Sequence, residues 1–123
     1  MYKVDHFING KSSSESNKTS KIYNPSYGTE IGEVLCATNE VADKAVESAY
    51  EASKAWSKTG LIYRSELILK FRQNVINRSK EIIDLGISEA GKTRPDAEAE
   101  LDRAVQALSL IHISEPTRPR LIS

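Results

Sequence analysis

The sequence lacks several features that often identify a function. Its single cysteine, Cys36, excludes an internal disulfide framework and a cysteine-based zinc site within one chain. No apolar run reaches about 18 residues and residues 1–10 do not resemble a signal peptide, so we expect neither a membrane span nor secretion. Because 17 Lys+Arg balance 17 Asp+Glu, no charge excess favours a nucleic acid or a membrane surface as partner. These absences favour a soluble, cytoplasmic protein.

Histidine is also scarce, since the chain contains only His6 and His112. A Ser-His-Asp catalytic set therefore cannot be assembled convincingly. Four acidic residues alternate along one stretch, and in a helix this i, i+2 spacing spreads them around the axis rather than converging them on a metal. They are Asp96, Glu98, Glu100 and Asp102. We expect no metal site.

The N-terminal third of the chain predicts short strands joined by turns. Phe7 and Ile8 precede Asn9-Gly10, a dipeptide typical of a two-residue hairpin turn, so a first strand should end near Gly10. The serine-rich residues 11–21 read as an exposed loop. A short β-prone step at residues 22–23, a turn at 24–28 and an alternating strand at 30–35 should follow.

The rest of the chain predicts three helices. Thr38 should cap a helix over residues 39–57, in which small apolar side chains recur at spacings of three and four and end at Trp56. We interpret Trp56 as a core anchor. A second helix is expected over residues 62–89, and a third from about Pro95, a favourable first-turn residue. The content is mostly helical.

Residues 86–93, GISEAGKT, match the phosphate-loop pattern G-x-x-x-x-G-K-[ST]. Such a loop follows a strand and leads into an uninterrupted helix. Here Pro95 would interrupt that helix and Glu89 would place a carboxylate in the phosphate cradle, although residues 81–85 are apolar enough for a strand. A nucleotide-binding function through this segment is therefore a minor alternative.

The C-terminal residues 108–123, LSLIHISEPTRPRLIS, differ in character from what precedes them. Residues 108–118 are the translation, without a mismatch, of the end and adapter used in transposase-based sequencing libraries. Ile122-Ser123 match the bases that follow the adapter's index. We hypothesise that residues 108–123 are an adapter-encoded, non-native tail, and that residues 1–107 are the N-terminal part of a longer protein.

Four features in order resemble the N-terminal part of the NAD(P)-dependent aldehyde dehydrogenase superfamily. They are Phe7-Ile8-Asn9-Gly10-Lys11; Asn24-Pro25-x-x-Gly28-x-x-Ile31-Gly32-x-Val34; the alanine-rich helix closing with Ala55-Trp56; and Arg64 followed by a long helix to Glu89-Ala90-Gly91-Lys92. The resemblance covers essentially all of residues 1–107, about the first fifth of a typical family chain.

The resemblance implies an α/β fold in which residues 1–107 belong to the dinucleotide-binding domain. It implies oxidation of an aldehyde or semialdehyde to the carboxylic acid, or to an acyl-CoA, with NAD or NADP, by a homodimer or homotetramer. The family's catalytic cysteine, glutamate base and cofactor-binding residues would all lie beyond this chain, and Cys36 matches a strand instead. The chain alone is expected to be inactive.

Two residues are singled out by the resemblance. Arg103 falls where some relatives that act on carboxylated semialdehydes place an arginine near the substrate channel, although a surface or salt-bridge role is an open alternative. Glu89 falls near a structural cation site of some relatives, but helix capping or solvation explains it as well. The non-enzymatic alternative is a small helical interaction protein.

Overall fold

The computed structural model describes residues 1–114, with side chains to residue 110. The chain divides into two units, the first spanning Met1–Lys58 and the second beginning at Thr59. The first unit combines strands with one helix, and the second is helical. Mixed α and β content with a helical majority confirms the predicted fold class.

The first unit holds two small sheets. Its strands are β1 (Tyr2–Val4), β2 (His6–Ile8), β3 (Lys11–Ser13), β4 (Thr19–Asn24) and β5 (Thr29–Leu35). One sheet has the order β1-β5-β4, with β1 parallel and β4 antiparallel to β5. The other is the antiparallel pair β2-β3.

The β2-β3 hairpin turns at the predicted dipeptide. Asn9 and Gly10 both have positive φ, 52° and 74°, as a tight turn matched to the strand twist requires. This turn fixes the register, which pairs Ile8 with Lys11. The prediction of one exposed loop over residues 11–21 is wrong, because backbone pairing makes residues 11–13 a strand without any apolar side chain.

The second predicted turn, between β4 and β5, is confirmed. Asn24 Oδ1 accepts a hydrogen bond from the Ser26 backbone N–H at 2.9 Å, and the Asn24 carbonyl accepts one from Gly28 N–H at 2.8 Å. Gly28 has φ 67°, which glycine adopts without strain. Gly32 is needed for another reason: a Cβ there would lie 2.6 Å from the backbone carbonyl of Tyr2 on β1.

Helix α1 (Asn39–Trp56) begins at the predicted cap, where Thr38 Oγ1 accepts a hydrogen bond from Val41 N–H at 3.4 Å. Burial is concentrated in the first turns, since Val41 is buried and Ala45 is half-buried. The later positions of the predicted face are exposed, including Trp56 at 44%. The prediction that Trp56 anchors a core is therefore wrong for this unit.

The second unit contains α2 (Leu61–Asn77), α3 (Ser79–Ala90) and α4 (Arg94–Ser114). The predicted helix over residues 62–89 is thus two helices, and residues 1–114 contain four helices rather than three. The break is at Arg78, whose φ of −106° and ψ of 16° leave the helical region. Its N–H still donates to the Asn74 carbonyl and its carbonyl accepts from Ile82 N–H, so one residue ends α2 and begins α3.

Helix α4 begins at the predicted place and continues through Ser114, past residue 108. Its packing against α2 and α3 buries Ala97 beneath the helices, and Ser65 of α2 is also buried. Residues 115–123, most of the segment interpreted as adapter-encoded, lie outside the described residues. The boundary at residue 107 and the origin of the tail stay predictions.

Candidate functional site

Residues 86–93 form the end of a helix. Helix α3 contains Gly86 and ends at Ala90, and Gly91 caps it with φ 63° while its N–H donates to the Ile87 carbonyl at 3.1 Å. Residues 81–85 are helical, so the strand that a phosphate loop needs is not there. The nucleotide-binding interpretation of this segment is therefore wrong.

The N-terminus of α4 is also occupied. Thr93 Oγ1 accepts a hydrogen bond from Asp96 N–H at 3.4 Å and donates one to Asp96 Oδ2 at 2.7 Å. Lys92 forms an ion pair with Glu100 rather than facing a free cradle. Because this end is capped by its own side chain, the described residues do not form a dinucleotide or phosphate site.

Asp84 joins α3 to α4 through two cations. Its Oδ2 accepts from Lys80 Nζ at 2.6 Å, and its Oδ1 accepts from Arg94 Nη2 at 2.8 Å. These hydrogen bonds, that from Lys80 first, lower the pKa of the Asp84 carboxyl below its ordinary value. The network is solvent-exposed, so its role is to orient the two helices rather than to store much energy.

A groove of about 340 Å³ lies between α3 and α4. Its lining is largely apolar and includes Ile83, Gly86 and Leu101, with Lys92 and Glu100 at one side. Since those two charges neutralise each other, the groove offers no free cation to an anionic ligand. The packing of two helices explains it fully.

Arg103 lies on α4 and is exposed. Glu100, one turn earlier, is the acidic residue best spaced to pair with it. That carboxylate is engaged by Lys92. Within the part of the chain that has described side chains, Arg103 makes no ion pair, and its guanidinium is therefore available to an anion. Its predicted substrate role stays a prediction.

Cys36 follows directly after β5 and is half-buried. Its N–H donates to the Lys18 carbonyl at 2.8 Å, and its carbonyl accepts from Ser16 Oγ at 2.6 Å. The backbone of this residue thus anchors the segment that leads into β4. The predicted strand-end position is confirmed, although the side chain is less buried than expected.

Other candidate groups stay dispersed. His6 lies in the β2-β3 hairpin opposite Ser13, and Glu89 is exposed on the last turn of α3. Among the described residues, no three His, Cys, Asp or Glu side chains gather where they could hold a metal. No helix described is both long and apolar enough to cross a membrane.

Sequence reasoning missed the two ion pairs that link α4 backwards, Lys92 with Glu100 and Asp84 with Arg94. Both span the turn between α3 and α4, at separations that are not helical neighbours. The only signal was the clustering of opposite charges around residues 80–100. It becomes informative once the helix end at Gly91 is known.

Comparison with known proteins gives consistent matches. The sequence model of the "Aldehyde dehydrogenase family" matches residues 12–114. Malonate-semialdehyde dehydrogenase of Bacillus pumilus is 32% identical over 94 residues, 76% of this chain and 19% of its own. The mouse mitochondrial acylating methylmalonate-semialdehyde/malonate-semialdehyde dehydrogenase is 37% identical over 106 residues, 85% of this chain and 20% of its own.

Solved structures agree in fold. A provisionally named methylmalonate-semialdehyde dehydrogenase from Sinorhizobium meliloti, complexed with NAD, superposes with a TM-score of 0.86 at 31% identity, covering 97% of this chain and 26% of its own. Aldehyde dehydrogenase 21 from Physcomitrella patens, in complex with the reaction product succinate, has a TM-score of 0.86 at 25% identity, covering 98% and 26%.

The chain spans about a fifth of the length of the curated relatives it matches. The match nevertheless covers most of this chain, and it includes the hairpin strand β3, the Asn24 turn and all four helices. The elements that carried the resemblance in sequence are those that the structure builds. The chain belongs to the aldehyde dehydrogenase family.

Proposed function

We propose that this chain is part of an NAD(P)-dependent enzyme that oxidises a short semialdehyde to the carboxylic acid or to the acyl-CoA. The observation that carries the proposal is the identity of 31–37% to relatives named malonate- or methylmalonate-semialdehyde dehydrogenases. Family membership favours an enzyme over the small helical interaction protein. We also propose a cytoplasmic location and assembly as a homodimer or homotetramer.

The described residues supply structure and not the redox chemistry. Aldehyde oxidation needs a nucleophile that adds to the carbonyl and an acceptor for the hydride. Cys36 engages its backbone in the sheet, and the α4 N-terminus is capped by Thr93, so we assign neither role to this chain. We expect the 123-residue chain alone to be inactive.

Arg103 is the residue that we propose contacts the substrate. A semialdehyde carries a carboxylate at the end opposite its reactive carbonyl, and a planar guanidinium can bind that group through two parallel hydrogen bonds. Arg103 is exposed on a rigid helix, and the nearest suitable acid, Glu100, is already paired with Lys92. Both facts support a free guanidinium held at a fixed place.

A graft tests the activity. Residues 1–107 of this chain replace the matching N-terminal segment of the Bacillus pumilus enzyme, and NADH formation is followed with malonate semialdehyde. We expect turnover comparable to the parent enzyme, and none from the 123-residue chain alone. A folded graft that binds NAD but oxidises no semialdehyde would contradict the proposal.

A further inference from the structure

Helix α2 packs on one face only. Ser65, which is buried, and Arg72, whose Nε donates to the Val105 carbonyl of α4 at 3.4 Å, are seven residues apart and lie on the same face. This face meets α4. Together with Ala97 of α4, Ser65 is all that is fully buried among the described side chains of the second unit.

A second apolar face runs along the same helix. Leu67, Phe71 and Val75 recur at spacings of four, so they form a stripe about 120° around the helix from the face that meets α4. We call these three residues the α2 stripe. Leu67 and Val75 are half-buried, while Phe71 at the centre is 56% exposed. A phenylalanine buries roughly 200 Å² when covered, so about 100 Å² of Phe71 still faces solvent.

The size of the relatives indicates what covers this stripe. The Sinorhizobium meliloti chain contains the same fold at a TM-score of 0.86, yet this chain covers only 26% of it. The family therefore encodes roughly three further parts of sequence for each part present here. A surface complementary to the α2 stripe has to be sought there first, because a core with so few buried residues is not a finished one.

We propose that the α2 stripe is a docking surface for the portion of an aldehyde dehydrogenase chain that follows the matched segment, and that this chain binds that portion even when it is supplied as a separate polypeptide. The proposal goes beyond the proposed function, since it rests on family membership and not on a substrate. The occupant is the remainder of a family chain, and not a second copy of this one.

Co-expression tests the docking. The tagged 123-residue chain is produced together with a Bacillus pumilus malonate-semialdehyde dehydrogenase that lacks its matching N-terminal segment. We expect the two polypeptides to co-purify in equal amounts, and we expect the truncated relative to be less soluble when it is produced alone. Absence of a complex overturns the proposal.

Variants locate the contact on the stripe. Phe71→Ala should reduce recovery of the complex at least about 10-fold, because at ~25 cal/mol per Å² the exposed area of its ring corresponds to an upper limit near 50-fold. The matched control is Ile62→Ala, which removes a 79%-exposed apolar side chain from the opposite side of the same helix. Recovery with that control should stay within twofold of wild type.

Each remaining outcome decides the matter. Equal recovery with Phe71→Ala and wild type would overturn the assignment to the stripe, and so would dimerisation of the chain alone that disappears with Phe71→Ala. Circular dichroism checks that the variants fold. If Phe71→Ala loses helix, Phe71→Leu and Phe71→Gln replace it, and only the leucine variant should retain the complex.

The proposed function and the docking fail separately in this experiment. A complex that forms but produces no NADH from malonate semialdehyde counts against the activity alone. A missing complex, with a graft that is active when the segment is covalently joined, counts against docking in trans alone.

Discussion

Two glycines in the segment 86–93 should respond to alanine with opposite signs. Gly86 lies inside α3, and within the described part of the chain no atom beyond the helix's own neighbouring backbone lies within 4 Å of a Cβ built there. A glycine in a helix interior costs about 0.5–1 kcal/mol relative to alanine. Gly86→Ala should therefore raise the free energy of unfolding by about that amount.

Gly91 occupies the left-handed cap of the same helix, with φ 63° and ψ 25°. A residue with a Cβ pays about 1–2 kcal/mol there, so Gly91→Ala should lower the free energy of unfolding. With a denaturant slope of about 1 kcal/mol per molar urea, the midpoint should rise by about 0.5–1 M for Gly86→Ala and fall by about 1–2 M for Gly91→Ala.

Urea unfolding of the 123-residue chain, followed by far-ultraviolet circular dichroism, measures both midpoints. If the segment were a phosphate loop, Gly86 would lie in a non-helical turn, alanine would be disfavoured there, and Mg-ATP would stabilise the wild type. A lower midpoint for Gly86→Ala, or a higher one for Gly91→Ala, would refute the helix-end account.

Three further outcomes are expected. Gly32→Ala should detach β1, because its Cβ would have to move about 0.8 Å from the β1 carbonyl to reach ordinary contact, and faster amide exchange in β1 with a loss of about 1–3 kcal/mol should follow. Replacing Lys80 and Arg94 by methionine should raise the pKa of Asp84 towards its ordinary 3.8, measured by NMR titration. Because the folded pKa of Asp84 is lowered, its ion pairs stabilise the fold above the ordinary pKa, and this contribution is lost as the pH falls through the folded pKa. Cys36→Ser in the graft should leave NADH formation unchanged.

Controls separate these outcomes from general damage. Gly60→Ala adds a Cβ that meets no described atom within 4 Å, so β1 exchange should stay as in wild type. For Asp84, an unchanged pKa in the double methionine variant would show that the two cations do not contact it in solution. Loss of thiohemiacetal chemistry in the Cys36→Ser graft would show that the nucleophile had been misassigned.

Local signals in the sequence predicted the elements whose geometry is decided locally. Asn9-Gly10 requires positive φ at both positions, and Thr38 satisfies the first free N–H groups of α1, so the hairpin and the helix start were both predictable. The turn at Gly28 belongs to the same class. In each case a few neighbouring residues determine the backbone.

Features that depend on distant partners were missed. The parallel pairing of β1 with β5 joins Tyr2 to Gly32 across 30 residues, and no local pattern reports it. The break at Arg78 contains neither proline nor glycine, so the apolar periodicity continued across it. Trp56 was predicted to be buried because its helix face is apolar, but residues outside its unit decide whether that face is covered.

The central claim is that this chain serves an enzyme that oxidises a carboxylated aldehyde held by Arg103. The most direct measurement is the ratio of kcat/KM for malonate semialdehyde to that for uncharged propanal, determined in the graft with Arg103 and with Arg103→Ala. Charge-assisted hydrogen bonds contribute about 1.5–3 kcal/mol, so the ratio should fall about 10- to 100-fold, mainly through KM. An unchanged ratio would contradict the claim.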